Sequence, residues 1–118
     1  MRARLFLAFA AVGLVSAPAL GHAFLQHADP GAGAALVVAR APNKVALVFT
    51  ERLEPAFSDM SVTDYFGRSI AAAPVFITGN SMVAPLRPLT PGRYRVLWHV
   101  VSVDTHRTEG AYTFTVKQ

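Results

Sequence analysis

The sequence predicts an all-β fold, an antiparallel sandwich of about seven short strands. Three observations carry that expectation. Apolar residues alternate with others in short runs: Val45, Leu47 and Phe49; Tyr94, Val96 and Trp98; Tyr112, Phe114 and Val116. Such a period of two is the signature of strands with one buried face. Turn formers punctuate these runs at regular intervals, as in Asp29-Pro30-Gly31, Gly79-Asn80 and Thr90-Pro91-Gly92, which is the spacing of an antiparallel sandwich. No amphipathic helix of useful length is present.

The first twenty-one residues stand apart from this pattern. Arg2 and Arg4 form a positive start, and Leu5 to Val15 is an apolar run too short to favour a membrane span. Ala19 and Gly21 place small residues where a signal peptidase cuts, so residues 1–21 are expected to be a cleaved secretory signal peptide. An uncleaved anchor is the weaker alternative, because no stop-transfer stretch follows. Cleavage after Gly21 would make His22 the new N-terminus of a single 22–118 domain. It would also remove Arg2 and Arg4, lowering the formal charge from +4 to +2. That mild excess, with no clustered basic stripe in the sequence, gives no footprint for nucleic acid. The chain has no cysteine. It must therefore fold on its core alone, and it offers no thiolate to a metal.

In order, His22 to Gln26 is expected to be a short strand and Asp29 to Gly33 a turn, with Ala34 to Ala39 a loop or irregular strand before Pro42. Lys44 to Glu51 is the clearest strand, and Glu51 ends its inward row of Val45, Leu47 and Phe49. A carboxylate in such a row needs a partner. Phe57 to Tyr65 reads as a strand, and Phe66-Gly67-Arg68 as a turn. Pro74 to Ile77 and Ser81 to Ala84 flank the Gly79-Asn80 turn. Arg93 to Val103 is a long strand, Asp104 to Gly110 a turn, and Ala111 to Val116 the last strand. Trp98, Tyr94, Tyr112 and Phe114 are expected in the core, joined by Phe24 and Phe49.

Four residues could carry chemistry: His22, Glu51, Asp104 and His106. Asp104 and His106 are two apart, which in extended chain puts them on one face. An N-terminal His22 would offer both its amine and its ring Nδ1 to one ion. The amine deprotonates readily beside a metal, since its intrinsic pKa is about 7.7–8.0. Nitrogen-rich tetragonal sites suit Cu(II), whereas Zn(II) would take the same atoms tetrahedrally.

The chain resembles the CopC-type periplasmic copper-binding proteins over nearly all of residues 22–118. The resemblance rests on His22-Ala23, Asp29-Pro30-Gly31, Ala41-Pro42, Val48-Phe49-Thr50-Glu51-Arg52-Leu53-Glu54, Phe57-Ser58 and Gly92-Arg93-Tyr94-Arg95-Val96. Its most specific part is Trp98-His99-Val100-Val101-Ser102-Val103-Asp104-Thr105-His106, followed by Gly110 and Phe114. It implies a Greek-key sandwich of immunoglobulin-like or cupredoxin-like shape. It also implies one Cu(II) per chain, held by His22, Asp104 and His106, with Glu51 beside the ligands. By the same resemblance the protein would be a periplasmic monomer that buffers copper or delivers it to a CopD-type inner-membrane permease, not an enzyme. Some members carry a second, Cu(I) site in a methionine-rich loop. The corresponding stretch here, Val62 to Val75, has no Met and no His, so a single site is expected.

Competing readings attach to the same residues. His22 could be a frayed terminus, Asp104 a turn former and His106 a solvated turn residue. Glu51 could pair with Arg52, Arg107 or Lys44, or orient a ligand imidazole. His27 and His99 read as surface histidines, and strand parity turns His99 away from Asp104 and His106. Ser102, Asp104 and His106 do not have the usual triad arrangement, and no oxyanion-hole motif accompanies them. Two alternatives to the copper carrier stay open. One is a copper histidine-brace oxidase or monooxygenase; the other is a structural module with incidental histidines.

Overall fold

A computed structural model describes residues 23–118. The expected signal peptide, and His22 itself, lie outside the described residues. Eight strands form two four-stranded sheets: β1 (Leu25–Asp29), β2 (Ala35–Val37), β3 (Lys44–Phe49), β4 (Asp59–Asp64), β5 (Phe76–Thr78), β6 (Ser81–Pro85), β7 (Gly92–Val101) and β8 (Arg107–Lys117). One sheet has the order β1-β3-β6-β5 and the other β2-β8-β7-β4. Strands distant in sequence thus become neighbours, the connectivity of a Greek-key sandwich. Every pairing is antiparallel except that of β2 with β8, which is parallel.

The core lies between the two sheets and is built from the expected rows. Val45, Leu47 and Phe49 face Val96, Val100, Phe114 and Val116, all buried. The Tyr94 and Phe114 rings stack at 5.4 Å, and Phe49 meets Trp98 edge-on at 5.2 Å. Both are arrangements that aromatic quadrupoles favour.

Three expectations need correction. Phe24 does not join the core; it is 46% exposed, whereas Ala23 is fully buried. A register shift between Leu25 and His27 opposite β3 breaks the simple alternation there. Residues 107–110 are not a turn but the start of β8, pairing with Val101 to Trp98 of β7. Finally, β4 begins at Asp59, because Pro55–Phe57 is a single 3₁₀ turn.

Tyr112 closes the loop after β1: its Oη donates to the Pro30 carbonyl at 2.8 Å. Burial, and then the Asp29 carboxylate, push the phenol up to about 12. The folded chain therefore holds this proton more tightly than the unfolded chain. The resulting stability is complete below pH 10 and is lost as pH rises towards 12. Tyr112→Phe should cost about 1 kcal/mol at neutral pH and flatten the alkaline fall, as read from urea midpoints across that range.

Candidate metal centre

One end of the sandwich gathers the ends of β3 and β7 and the start of β8. The β7–β8 connection is Ser102 to His106. Ser102 N–H donates to the His106 carbonyl at 2.9 Å, and Thr105 N–H to the Ser102 carbonyl at 2.8 Å. Asp104 and His106 are thus residues of a short hairpin turn, not of an extended strand end, and the same-face argument from strand spacing does not apply to them. Thr105 between them has φ 70, a left-handed conformation that is uncommon for a β-branched residue. Both Asp104 and His106 are exposed at the tip.

The root of this hairpin is tied to the segment after β3. Leu53 bridges Ser102, Val103 N–H donates to the Arg52 carbonyl at 3.1 Å, and Glu54 N–H donates to the Val101 carbonyl at 2.8 Å. Arg52 therefore lies opposite Val103. Glu51 is half-buried. Among the described residues the recorded ion pair is Arg68 with Asp64, so Glu51 is not paired with Arg52, Arg107 or Lys44.

The chain enters at this same end. Thr108 Oγ1 donates to the Ala23 carbonyl at 2.6 Å. Phe24 N–H donates to Thr50 Oγ1, and Thr50 N–H to the Phe24 carbonyl, each at 2.9 Å. Residues 23 and 24 are therefore clamped between the end of β3 and the start of β8. Thr108 is two residues from His106, and Thr50 adjoins Glu51. Ala23, where the described residues begin, is therefore held beside this hairpin. Thr50 and Thr108 were not legible as anchors, since each looks like an ordinary polar strand position.

The remaining histidines lie elsewhere. His27 sits opposite Val48 on β1. His99 is exposed on the outer face, between Asp59 of β4 and Glu109 of β8. Ser102 is fully buried, so the Ser102, Asp104 and His106 set has no exposed nucleophile. Among the described residues no three His, Asp or Glu side chains form a metal cluster. Asp104, His106 and Glu51 are therefore not drawn together into a three-ligand group.

Comparison with known proteins agrees with this architecture. A family model described as CopC domain matches residues 25–117. Protein YobA of Escherichia coli strain K12 is 39% identical over 118 residues, covering 97% of this chain and 94% of its own. Copper resistance protein C of Escherichia coli is 38% identical over 113 residues, covering 87% of each chain. The crystal structure of PcoC, a methionine-rich copper resistance protein from Escherichia coli, superposes with a TM-score of 0.68 at 40% identity, over 81% of this chain and 99% of PcoC.

Proposed function

Because the chain belongs to the CopC family, we propose that it is an exported copper-binding protein in which His22, made N-terminal by removal of residues 1–21, completes a Cu(II) site with Asp104 and His106. The observation that carries this is the clamp on residues 23 and 24, above all Thr108 Oγ1 on the Ala23 carbonyl. It fixes Ala23, the residue that would follow an N-terminal His22, beside a hairpin that carries one imidazole and one carboxylate. The donor set of amine, two imidazoles and carboxylate fits Cu(II), the strongest binder of such ligands among the divalent first-row metals. Glu51, next to the Arg52 carbonyl that anchors the root of this hairpin, would accept a hydrogen bond from a ligand imidazole and fix its orientation.

Copper is cargo here, and the chain's work is to hold and release it in the periplasm. Buffering, or delivery to a CopD-type permease by a monomer, suits an exposed site at a hairpin tip. The methionines support a single site. Met60 and Met82 are buried in the core, so neither thioether is offered to Cu(I).

Protons compete with copper for imidazole and amine, so affinity should fall as pH drops from neutral to about 5. A Cu(II) titration of the 22–118 chain at several pH values checks this. Affinity that stays flat over that range would exclude these ligands. Copper- and reductant-dependent turnover of a polysaccharide or phenol would show an oxidase instead of a carrier.

A further inference from the structure

The charged side chains are sorted between the two halves of the sandwich. The half that carries the hairpin tip holds Glu51, Glu54, Asp59, Asp104 and Glu109 against Arg52 and Arg107 alone. The opposite half holds Arg40 and Lys44 around the start of β3, Lys117 at the end of β8, and Arg93 and Arg95 on β7. Arg68 and Arg87 complete it, and its acids are Asp29 and Asp64. Within the described residues the formal charge is thus −3 in one half and +5 in the other. These basic residues are scattered along the chain and come from both sheets, so they form no run in the sequence.

The basic half also presents two ordered aromatic rings. Tyr65 is 75% and Phe66 80% exposed, in the turn that follows β4. The Asp64 carboxylate accepts from Phe66 N–H and Arg68 N–H at 2.9 Å each, and from Arg68 Nε at 2.8 Å. The backbone N–H of Arg68, together with its guanidinium, holds that carboxyl below its usual value. The guanidinium lies 5.3 Å from the centre of the Phe66 ring, and Tyr65 meets Phe66 edge-on at 6.1 Å. The turn is therefore built to hold two rings outward. Exposed aromatic surface of this kind marks a contact face.

We propose that this pole is a docking surface for an anionic lipid bilayer. Tyr65 and Phe66 seat at headgroup depth, the surrounding Arg and Lys side chains meet lipid phosphates, and the candidate copper hairpin points away from the membrane. Aromatic rings favour the membrane–water interface, and basic side chains near an anionic leaflet each add to the attraction. Positive charge spread around a whole end, from several elements, matches a plane of headgroups better than a peptide in a groove. Among the described residues no helix is long and apolar enough to cross a membrane; the proposed attachment is through surface side chains alone. The inference stands apart from copper binding, since no residue of the copper hairpin takes part.

The test is co-sedimentation of the metal-free 22–118 chain, which contains every strand of the sandwich, with phosphatidylcholine vesicles with and without phosphatidylglycerol. Binding is expected only with phosphatidylglycerol, and should weaken with salt. Tyr65→Ser/Phe66→Ser should lower partitioning about tenfold, and Lys44→Ser/Arg93→Ser/Lys117→Ser at least about tenfold. Both variants should keep the parent melting temperature and Cu(II) titration, which separates a lost surface from a lost fold. Equal binding to both vesicles, or undiminished binding by the Tyr65/Phe66 variant, would overturn the proposal. Tighter binding to soluble polyglutamate than to the anionic vesicles would overturn it too, in favour of an acidic polypeptide partner.

Discussion

Replacing His106 by alanine is expected to weaken Cu(II) binding by about a hundredfold or more, because it removes a proposed ligand, and loss of an outer partner alone costs 10–100-fold. The fold should survive. His106 is exposed at the hairpin tip, and the carbonyl that accepts from Ser102 N–H is kept in the variant. The melting temperature should therefore move little while the titration collapses. A graded comparison comes from Thr108→Val, which keeps every proposed ligand but removes the donor to the Ala23 carbonyl. It should weaken copper by less than His106→Ala, through a looser N-terminus. Isothermal titration of both variants checks the order. Unchanged affinity in His106→Ala would leave the hairpin without its role.

Gly110→Ala is expected to be the most destabilising single methyl in the molecule, costing roughly 2–3 kcal/mol, at the upper end of what overpacking a core inflicts. Gly110 lies opposite Trp98 on β8, with the indole folded across it. A Cβ at this position would lie 2.4 Å from Trp98 Cζ2 and 2.8 Å from Cε2. The indole cannot swing aside freely, because it meets Phe49 edge-on at 5.2 Å. Denaturant unfolding of a double-mutant cycle checks the cause. In a Trp98→Leu background the added methyl should cost much less, since its collision partner is gone. The same cost in both backgrounds would assign the effect to the strand backbone instead.

The parts of this fold legible in the sequence are those where one face is buried and the other is not. Val45, Leu47, Phe49, Phe114 and Val116 are buried, and Tyr112 is partly buried against them; period two follows from that burial. The hairpin was misplaced because Arg107 to Gly110 carries no large apolar residue. At that end of β8 the inward positions are Thr108, which bonds Ala23, and Gly110, which makes room for Trp98. Both look like turn residues until their cross-strand partners are known. Phe24 was misassigned because the irregular register in β1 is invisible without its partner strand. Asp104 and His106 were visible as a pair, but from a geometry they do not have. The structure puts them in a tight turn, where the strand spacing suggested a shared face. The charge separation was hidden for a topological reason: residues as far apart as Lys44 and Lys117 come to the same end of the sandwich only when the sheets close.

The N-terminal chelate is tested most directly by Cu(II) titration and electron paramagnetic resonance of two chains, one starting at His22 and one carrying a single extra residue before it. The extra residue leaves the His22 side chain intact but turns its amine into an amide, which cannot donate in the same way. The native start should bind one copper tightly with nitrogen couplings, and the extended chain should bind far more weakly with an altered spectrum. Equal affinity and identical spectra would show that the amine is no ligand and that copper is held elsewhere on this sandwich.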